Sequence, residues 1–322
     1  MDLFTVGTPV VDLFAKVDDR LLLKLGVVKG ASNYFSAEKL SAIERKLGKK
    51  IGYRYAGDNA RNVCEGFSAL GGFCGYQGAV GDDRTGGYFS ANLEECGIAN
   101  FLEEKKGSTG KILALVTPDG QRTFCADLGV TTKCDADLGV ALKNSKMFFI
   151  SSITLVRNTP VAKRCMGYLA ECRKMGKKVA IALESPPMVK ENRRLFLPIV
   201  KKYADYLFMN EDEAEALLGA DAEKKLLSLK PKIPIFLKKG KRGSLVIFRK
   251  SAYHVPALPA KAIDTTGAGD AYTAGVLYGI ARGYSPRGSA KIGCMLATKV
   301  VGKVGAGIPL SHTRIRIKHK KA

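Results

Sequence analysis

A chain of 322 residues, 46% hydrophobic and carrying a net charge of +22, is long enough for a large α/β domain and too apolar to be disordered. No apolar run approaches the roughly 18 residues that span a bilayer, and the opening Met-Asp-Leu-Phe-Thr-Val-Gly lacks the basic-then-apolar pattern of a signal peptide. Eight cysteines without C-x-x-C spacing and only three histidines (His254, His312, His319) leave no zinc pattern and little room for a Ser-His-Asp centre, so the chain reads as a reduced, cytoplasmic protein.

Residues 3–7 read as a buried strand ending at a turn, and 57–70 as a glycine-led turn entering a helix with apolar residues at helical spacing. Gly71-Gly72 ends that helix; 73–80 reads as a strand and 86–96 as a helix. Residues 111–117 and 122–125 flank Pro118-Asp-Gly-Gln121, a hairpin signal. Beyond 146 the pattern alternates: strand 147–151, helix 160–175, strand 179–183, helix 191–203, strand 206–209, helix 211–218, strand 233–237. That rhythm predicts an α/β protein with a mostly parallel sheet flanked by helices on both faces, binding ligands at the carboxyl ends of its strands. No internal repeat or linker breaks the chain, so residues 1–322 are expected to form a single domain with a basic tail at 312–322.

The charge is unevenly spread. After Glu223 the last 99 residues hold 21 Lys or Arg and only two carboxylates, Asp264 and Asp270, a net +19 that leaves +3 for the first 223. Such a field can gather a polyanion such as ATP or bind nucleic acid without sequence preference, although solvated helix faces account for most of these lysines. The two surviving acids frame Asp264-Thr-Thr-Gly-Ala-Gly-Asp270, which runs into the helical pattern of 271–281. Gly267 and Gly269 allow close backbone approach, and amides at a helix start make an anion hole suited to a phosphoryl group in transit. Asp270, in the first turn, can take the proton of an attacking hydroxyl.

With these residues the sequence resembles the ribokinase-like (PfkB) family of sugar and nucleoside kinases, whose C-terminal signature matches D-T-T-G-A-G-D-A without a break. The resemblance implies a Rossmann-like α/β domain with a small β-sheet lid, drawn from segments within about 13–55 and 100–133. It also implies ATP and Mg²⁺, with Asp270 as base and Gly267, Ala268 and Gly269 as anion hole. Thr265 would lie by the nucleotide, and a monovalent cation (K⁺) would involve Asp264 and the Thr266 backbone. Gly7-Thr-Pro-Val-Val-Asp12 looks like the first-strand motif, whose aspartate accepts hydrogen bonds from acceptor hydroxyls. Gly57-Asp-Asn-Ala-Arg-Asn62 takes the place of the N-terminal signature. There Gly57 and Asn62 match as acceptor-binding residues, and Asp58 replaces the second glycine, putting an extra carboxylate near the acceptor. Asn59 and Arg61 could reach the acceptor too, or cap and pack the following helix.

Asn210-Glu-Asp-Glu213 resembles the N-x-x-E motif that organises Mg²⁺, usually through water, and would equally make a capping box. Lys238-Lys-Gly240-Lys-Arg-Gly243 stands where the family has Thr-x-Gly-x-x-Gly beside the ATP phosphates, with Lys238 in place of the threonine. Blocks such as residues 10–18, 26–30, 118–123 and 183–186 lean toward the adenosine-kinase-like branch, and Phe35, Phe124, Leu128 and Phe149 are candidates for a base slot. The expected function is therefore phosphoryl transfer to a nucleoside hydroxyl, with a sugar or sugar phosphate as the alternative acceptor. A nucleotide- or nucleic-acid-binding protein on a kinase scaffold is the reading from another class, but aromatic-basic interleaving is lacking. Lid-mediated dimers in the family make a homodimer conceivable by analogy, with no membrane partner.

Overall fold

The computed structural model describes residues 1–156, 158–302 and 307; the expected basic tail, with His312 and His319, lies outside them. The chain enters through β1 (Leu3–Val6), leaves for β2 (Val10–Lys16), α1 (Asp19–Leu25), β3 (Ser32–Tyr34), α2 (Ala37–Leu47) and β4 (Ile51–Gly57), and returns through α3 (Asn59–Ala69) to β5 (Cys74–Gly81). Next come α4 (Arg84–Glu95), β6 (Ala99–Lys105), the hairpin β7 (Gly110–Val116) and β8 (Arg122–Asp127), and α5 (Gly139–Lys143). The alternating region follows: β9 (Met147–Ser151), α6 (Pro160–Met175), β10 (Lys178–Ala182), α7 (Pro186–Glu191), α8 (Arg193–Tyr203), β11 (Tyr206–Asn210), α9 (Glu211–Leu218), α10 (Ala222–Leu229) and β12 (Ile235–Lys238). The hairpin β13 (Ser244–Phe248) and β14 (Ser251–Val255), then α11 (Ala268–Ala281) and α12 (Pro286–Val301), complete the described chain.

Nine strands form one sheet in the order β14-β13-β12-β11-β10-β9-β1-β5-β6, parallel except for the β13–β14 hairpin. Its central strands are apolar on both faces, as a doubly covered sheet requires: Leu3 joins the core beneath α3, α11 and α12, while Phe4 and Val6 join the core beneath α6, α8 and α9. The expected helix 191–203 divides at Asn192, whose side chain donates to the Met188 carbonyl (2.9 Å). The expected strand 233–237 starts later, at Ile235, because Pro234 offers only its carbonyl to the ladder, accepting from the Leu207 amide at 3.2 Å. No helix among the described residues is long and apolar enough to cross a membrane.

The other five strands make a smaller sheet, β3-β8-β7-β2-β4, from segments 10–57 and 110–127. β6 falls within the stretch expected to hold the lid and instead edges the large sheet beside β5. Alternation gives the small sheet two characters. Val11, Leu13, Ala15, Leu113, Leu115 and Cys125 face α1 and α2, whose Leu22, Leu25, Leu40, Ile43 and Leu47 are buried with them. Asp12, Phe14, Tyr53, Tyr55, Phe124 and Arg122 alternate onto the face that looks toward the carboxyl ends of the large sheet. Burying each of those helix leucines or isoleucine contributes about 1.5–3 kcal/mol, so both helices are held firmly over the outer face. Among the described residues α1 and α2 cover the outer face of the small sheet, so that face is not free to pair with a second copy. The chain should therefore scatter light as a 34.7 kDa monomer; a mass twice that would mean another surface pairs two copies.

Candidate active site

The first turn of α11 is the centre of the site. Gly267, its N-cap, adopts φ 76°, a left-handed conformation that favours glycine. The Ala268 amide, expected in the anion hole, closes a turn onto the Thr265 carbonyl (3.2 Å), while the amides of Gly269 and Asp270 have no acceptor within the helix. Asp270 is only 7% exposed. Asn62 Nδ2 donates to its Oδ2 at 2.9 Å and Asn59 Nδ2 to its Oδ1 at 3.3 Å. Burial pushes the carboxyl up to about 6 against the opposing pull of Asn62, Lys238 and Asn59. Asn62, expected to bind the acceptor, thus gives one of its two amide hydrogens to Asp270. Asn59 shares that task.

Asp12 projects from β2 onto the inner face of the small sheet, where burial and then the Asp58 charge raise it to about 7. Gly57, on β4 and paired with Val10, is close by, and a Cβ there would overlap the Asp12 carboxylate. Asp58 is held differently from the acceptor ligand expected of it. Its Oδ1 accepts from the Arg61 amide (2.8 Å), and its Oδ2 accepts from the Thr8 amide (2.6 Å) and the Tyr76 hydroxyl. With its acceptor capacity taken up, this carboxylate clamps the start of α3 to the β1–β2 turn and to β5. The backbone keeps φ 120°, a conformation natural to the glycine that Asp58 replaces and strained for an L-residue.

On the other side of Gly269, the residues expected to meet the nucleotide come together. Asn210, Lys238, Gly240 and Thr265, with Ala268 and Gly269, line a cavity of about 560 Å³. Asn210 and Glu213 form the capping box at the start of α9, Asn210 Oδ1 accepting from the Glu213 amide and Glu213 Oε2 from the Asn210 amide, both at 2.7 Å. Burial raises Glu213 above the usual carboxylate range, with Lys238 opposing. No group of three or more His, Cys, Asp or Glu among the described residues is set to cage a metal. The hard oxygen of Glu213, with Glu184 nearby, therefore fits a magnesium ion that takes its other ligands from water and phosphate.

Asp264 and Thr266 meet a cation that the sequence reading did not identify. Arg122, on β8, reaches across with Nη2 donating to Asp264 Oδ1 (3.1 Å) and Nη1 to Thr266 Oγ1 (2.9 Å). The same Oδ1 accepts from the Thr266 amide (3.0 Å) and hydroxyl (2.7 Å). A guanidinium thus already neutralises the oxygen expected to serve a monovalent cation, and these two residues do not fit a resident K⁺ on that oxygen.

Sequence reasoning also passed over the aromatic surface beside Asp12. Phe14 lies 4.9 Å from Tyr53 and 6.1 Å from Tyr55, and the two tyrosines are 5.4 Å apart, ring centre to ring centre. The alternation Tyr53-x-Tyr55 was the available signal. Of the expected base-slot residues, Phe124 shares this face, whereas Phe149 is fully buried beneath the large sheet and Phe35 packs toward the α2 side under the Lys39 ammonium.

Residues 24–313 match the model for pfkB family carbohydrate kinase. The chain superposes on adenosine kinase from Sinorhizobium meliloti with a TM-score of 0.84 and 28% identity, covering 96% of both chains. It matches a probable sugar kinase from Rhizobium etli CFN 42 with a TM-score of 0.85 and 25% identity, again over 96% of each. Adenosine kinase of Saccharomyces cerevisiae is 25% identical over 333 residues, 95% of this chain and 96% of its own.

The raised carboxyl of Asp12 makes a stability prediction. In the folded chain it holds its proton to about pH 7, whereas unfolded it would ionise near its ordinary 3.8, so its burial destabilises increasingly as pH rises across that window. Asp12→Asn should raise Tm more at pH 8 than at pH 5 in thermal melts; an equal gain at both would show that Asp12 ionises normally.

Proposed function

Because this chain belongs to the pfkB family of carbohydrate kinases, and is thus a phosphotransferase with an alcohol acceptor and a ribokinase-like fold, we propose that it transfers the γ-phosphoryl group of ATP to a primary hydroxyl of a nucleoside. The donor occupies the 560 Å³ cavity with its phosphates at the start of α11. The acceptor lies between that turn and the inner face of the small sheet, where Asp12 accepts hydrogen bonds from its sugar hydroxyls. Asp270, aimed by Asn59 and Asn62, takes the proton of the attacking hydroxyl as the new O–Pγ bond forms and the bond to the β-phosphate bridging oxygen breaks. The developing charge is met by the Gly269 and Asp270 amides, and ADP leaves. Magnesium, which kinases of this family generally use with ATP, would supply charge neutralisation to the phosphates, and Glu213 would hold it through water.

The observation that carries the nucleoside reading is the aromatic surface of Phe14, Tyr53 and Tyr55 on the same face as Asp12. A nucleobase gains from stacking on such a surface, and a bare sugar needs far less of it. Asp58 and Asp270 crowd the acceptor end, and both add to the repulsion a phosphorylated acceptor would meet.

ADP release from ATP and Mg²⁺ across nucleosides, pentoses, hexoses and sugar phosphates tests this directly. Nucleosides should turn over with the highest kcat/KM; a preference for free sugars would move the assignment to the sugar-kinase side of the family. Tyr55→Ala should raise KM for a nucleoside by roughly 5- to 150-fold, the worth of one stacked base, and leave a pentose's KM nearly unchanged. Asp270→Asn should lower kcat by roughly 100-fold or more with ATP affinity kept. Because the base must be ionised, wild-type kcat should fall about tenfold per pH unit below an apparent pKa about 6, and a rate flat down to pH 5 would overturn the base assignment.

A further inference from the structure

Lys238 is the last residue of β12, and its side chain turns into the nucleotide cavity, 12% exposed. Among the described residues no hydrogen bond reaches its ammonium. The nearest carboxylate oxygen, Glu213 Oε2, stands 3.9 Å away, beyond hydrogen-bond reach. The next residue shows how this chain treats a structural lysine: Lys239, similarly enclosed at 13%, bonds Glu223 at 2.7 Å and faces Glu211 at 3.6 Å. Lys238 has no such anchor, although burying an unbonded ammonium is expensive.

Its charged neighbours include the carboxylates of Glu213, Glu184 and Asp270. Those carboxylates come from three elements, α9, the segment after β10, and α11, and none bonds it. The ammonium also rests against the anion hole, since a Cβ added at Gly269 would come 3.3 Å from Nζ. An ammonium without a protein hydrogen bond, set beside two open amides, is a place prepared for an anion.

We infer that Lys238 is a catalytic residue, its ammonium binding the γ-phosphate of the donor beside Gly269 and neutralising charge on the phosphoryl group as it moves to the acceptor. The inference rests on the donor reading above. Arrival of the phosphate replaces a loose pairing with Glu213 by direct contact with a phosphate oxygen. The ammonium keeps its three protons throughout; the only proton transferred is the acceptor's, to Asp270.

Calorimetric binding of ATP and ADP to the full chain, without acceptor, tests this without turnover. Lys238→Met should weaken ATP roughly 10- to 100-fold, the worth of one charge-assisted contact, and ADP by less than about threefold. Lys238→Arg should recover most of the ATP affinity. Equal effects on both nucleotides, or none on ATP, would overturn the inference and leave the kinase reading standing. The unmutated protein gives a second measurement that no folding defect can obscure: with EDTA present, ATP should bind about tenfold more tightly than ADP, and equal affinities would count against Lys238. If the unmutated protein bound neither nucleotide, the donor reading would fall, and this inference with it.

Discussion

The carboxylate of Asp270 is buried, and the role proposed for it requires that it remain able to ionise; much of the surrounding architecture answers to that requirement. A buried carboxylate without partners would stay protonated well above neutrality. Two amides from α3 and the distant ammonium of Lys238 bring it back to about 6, low enough to be ionised and high enough to accept a proton at neutral pH. Supplying those amides fixes where α3 must begin. The start of α3 is in turn fixed by Asp58, which binds its first turn, the β1–β2 turn and Tyr76 together. One buried carboxylate is therefore tied, through α3 and Asp58, to the β1–β2 turn and to β5.

The site is also a crowd of like charges. Asp12, Asp58, Glu184, Glu213 and Asp270 stand close enough to shift one another, and burial raises all five. Lys238 is the cation set among the nucleotide-side members, and Arg122 closes over the signature from the small sheet. Of the 21 basic residues after Glu223, Lys238 and Lys241 line the cavity.

What could be read from the sequence was mainly local. The span 211–218 formed as α9 with its predicted capping box, and the 118–121 turn joined two antiparallel strands, because both depend on side chains three or four residues apart. The signature turn announced itself by its glycines and its two isolated acids. Hidden features were those made by distant pairings. Asn62 lies 208 residues from the carboxylate it holds, and Arg122 lies 142 from Asp264. Nothing local to Asp58 shows that Tyr76 and Thr8 will consume its oxygens. Phe149 illustrates the same limit, since a fully buried strand residue and a slot residue share one composition and differ only in which face the fold covers.

The join between β4 and α3 has a consequence of its own. β4 ends at Gly57 as part of the small sheet, and only Asp58 separates it from the helix that carries Asn59 and Asn62. On the function proposed above, an acceptor seated against β2 and β4 would press on the same stretch of chain that aims Asp270. Its binding energy would then be delivered to the alignment of that carboxylate, and a water molecule, which touches neither strand nor stacks on Tyr55, would deliver none. Discrimination between alcohol and water would thus lie in chain continuity, recognition of the acceptor and readiness of the base being one equilibrium.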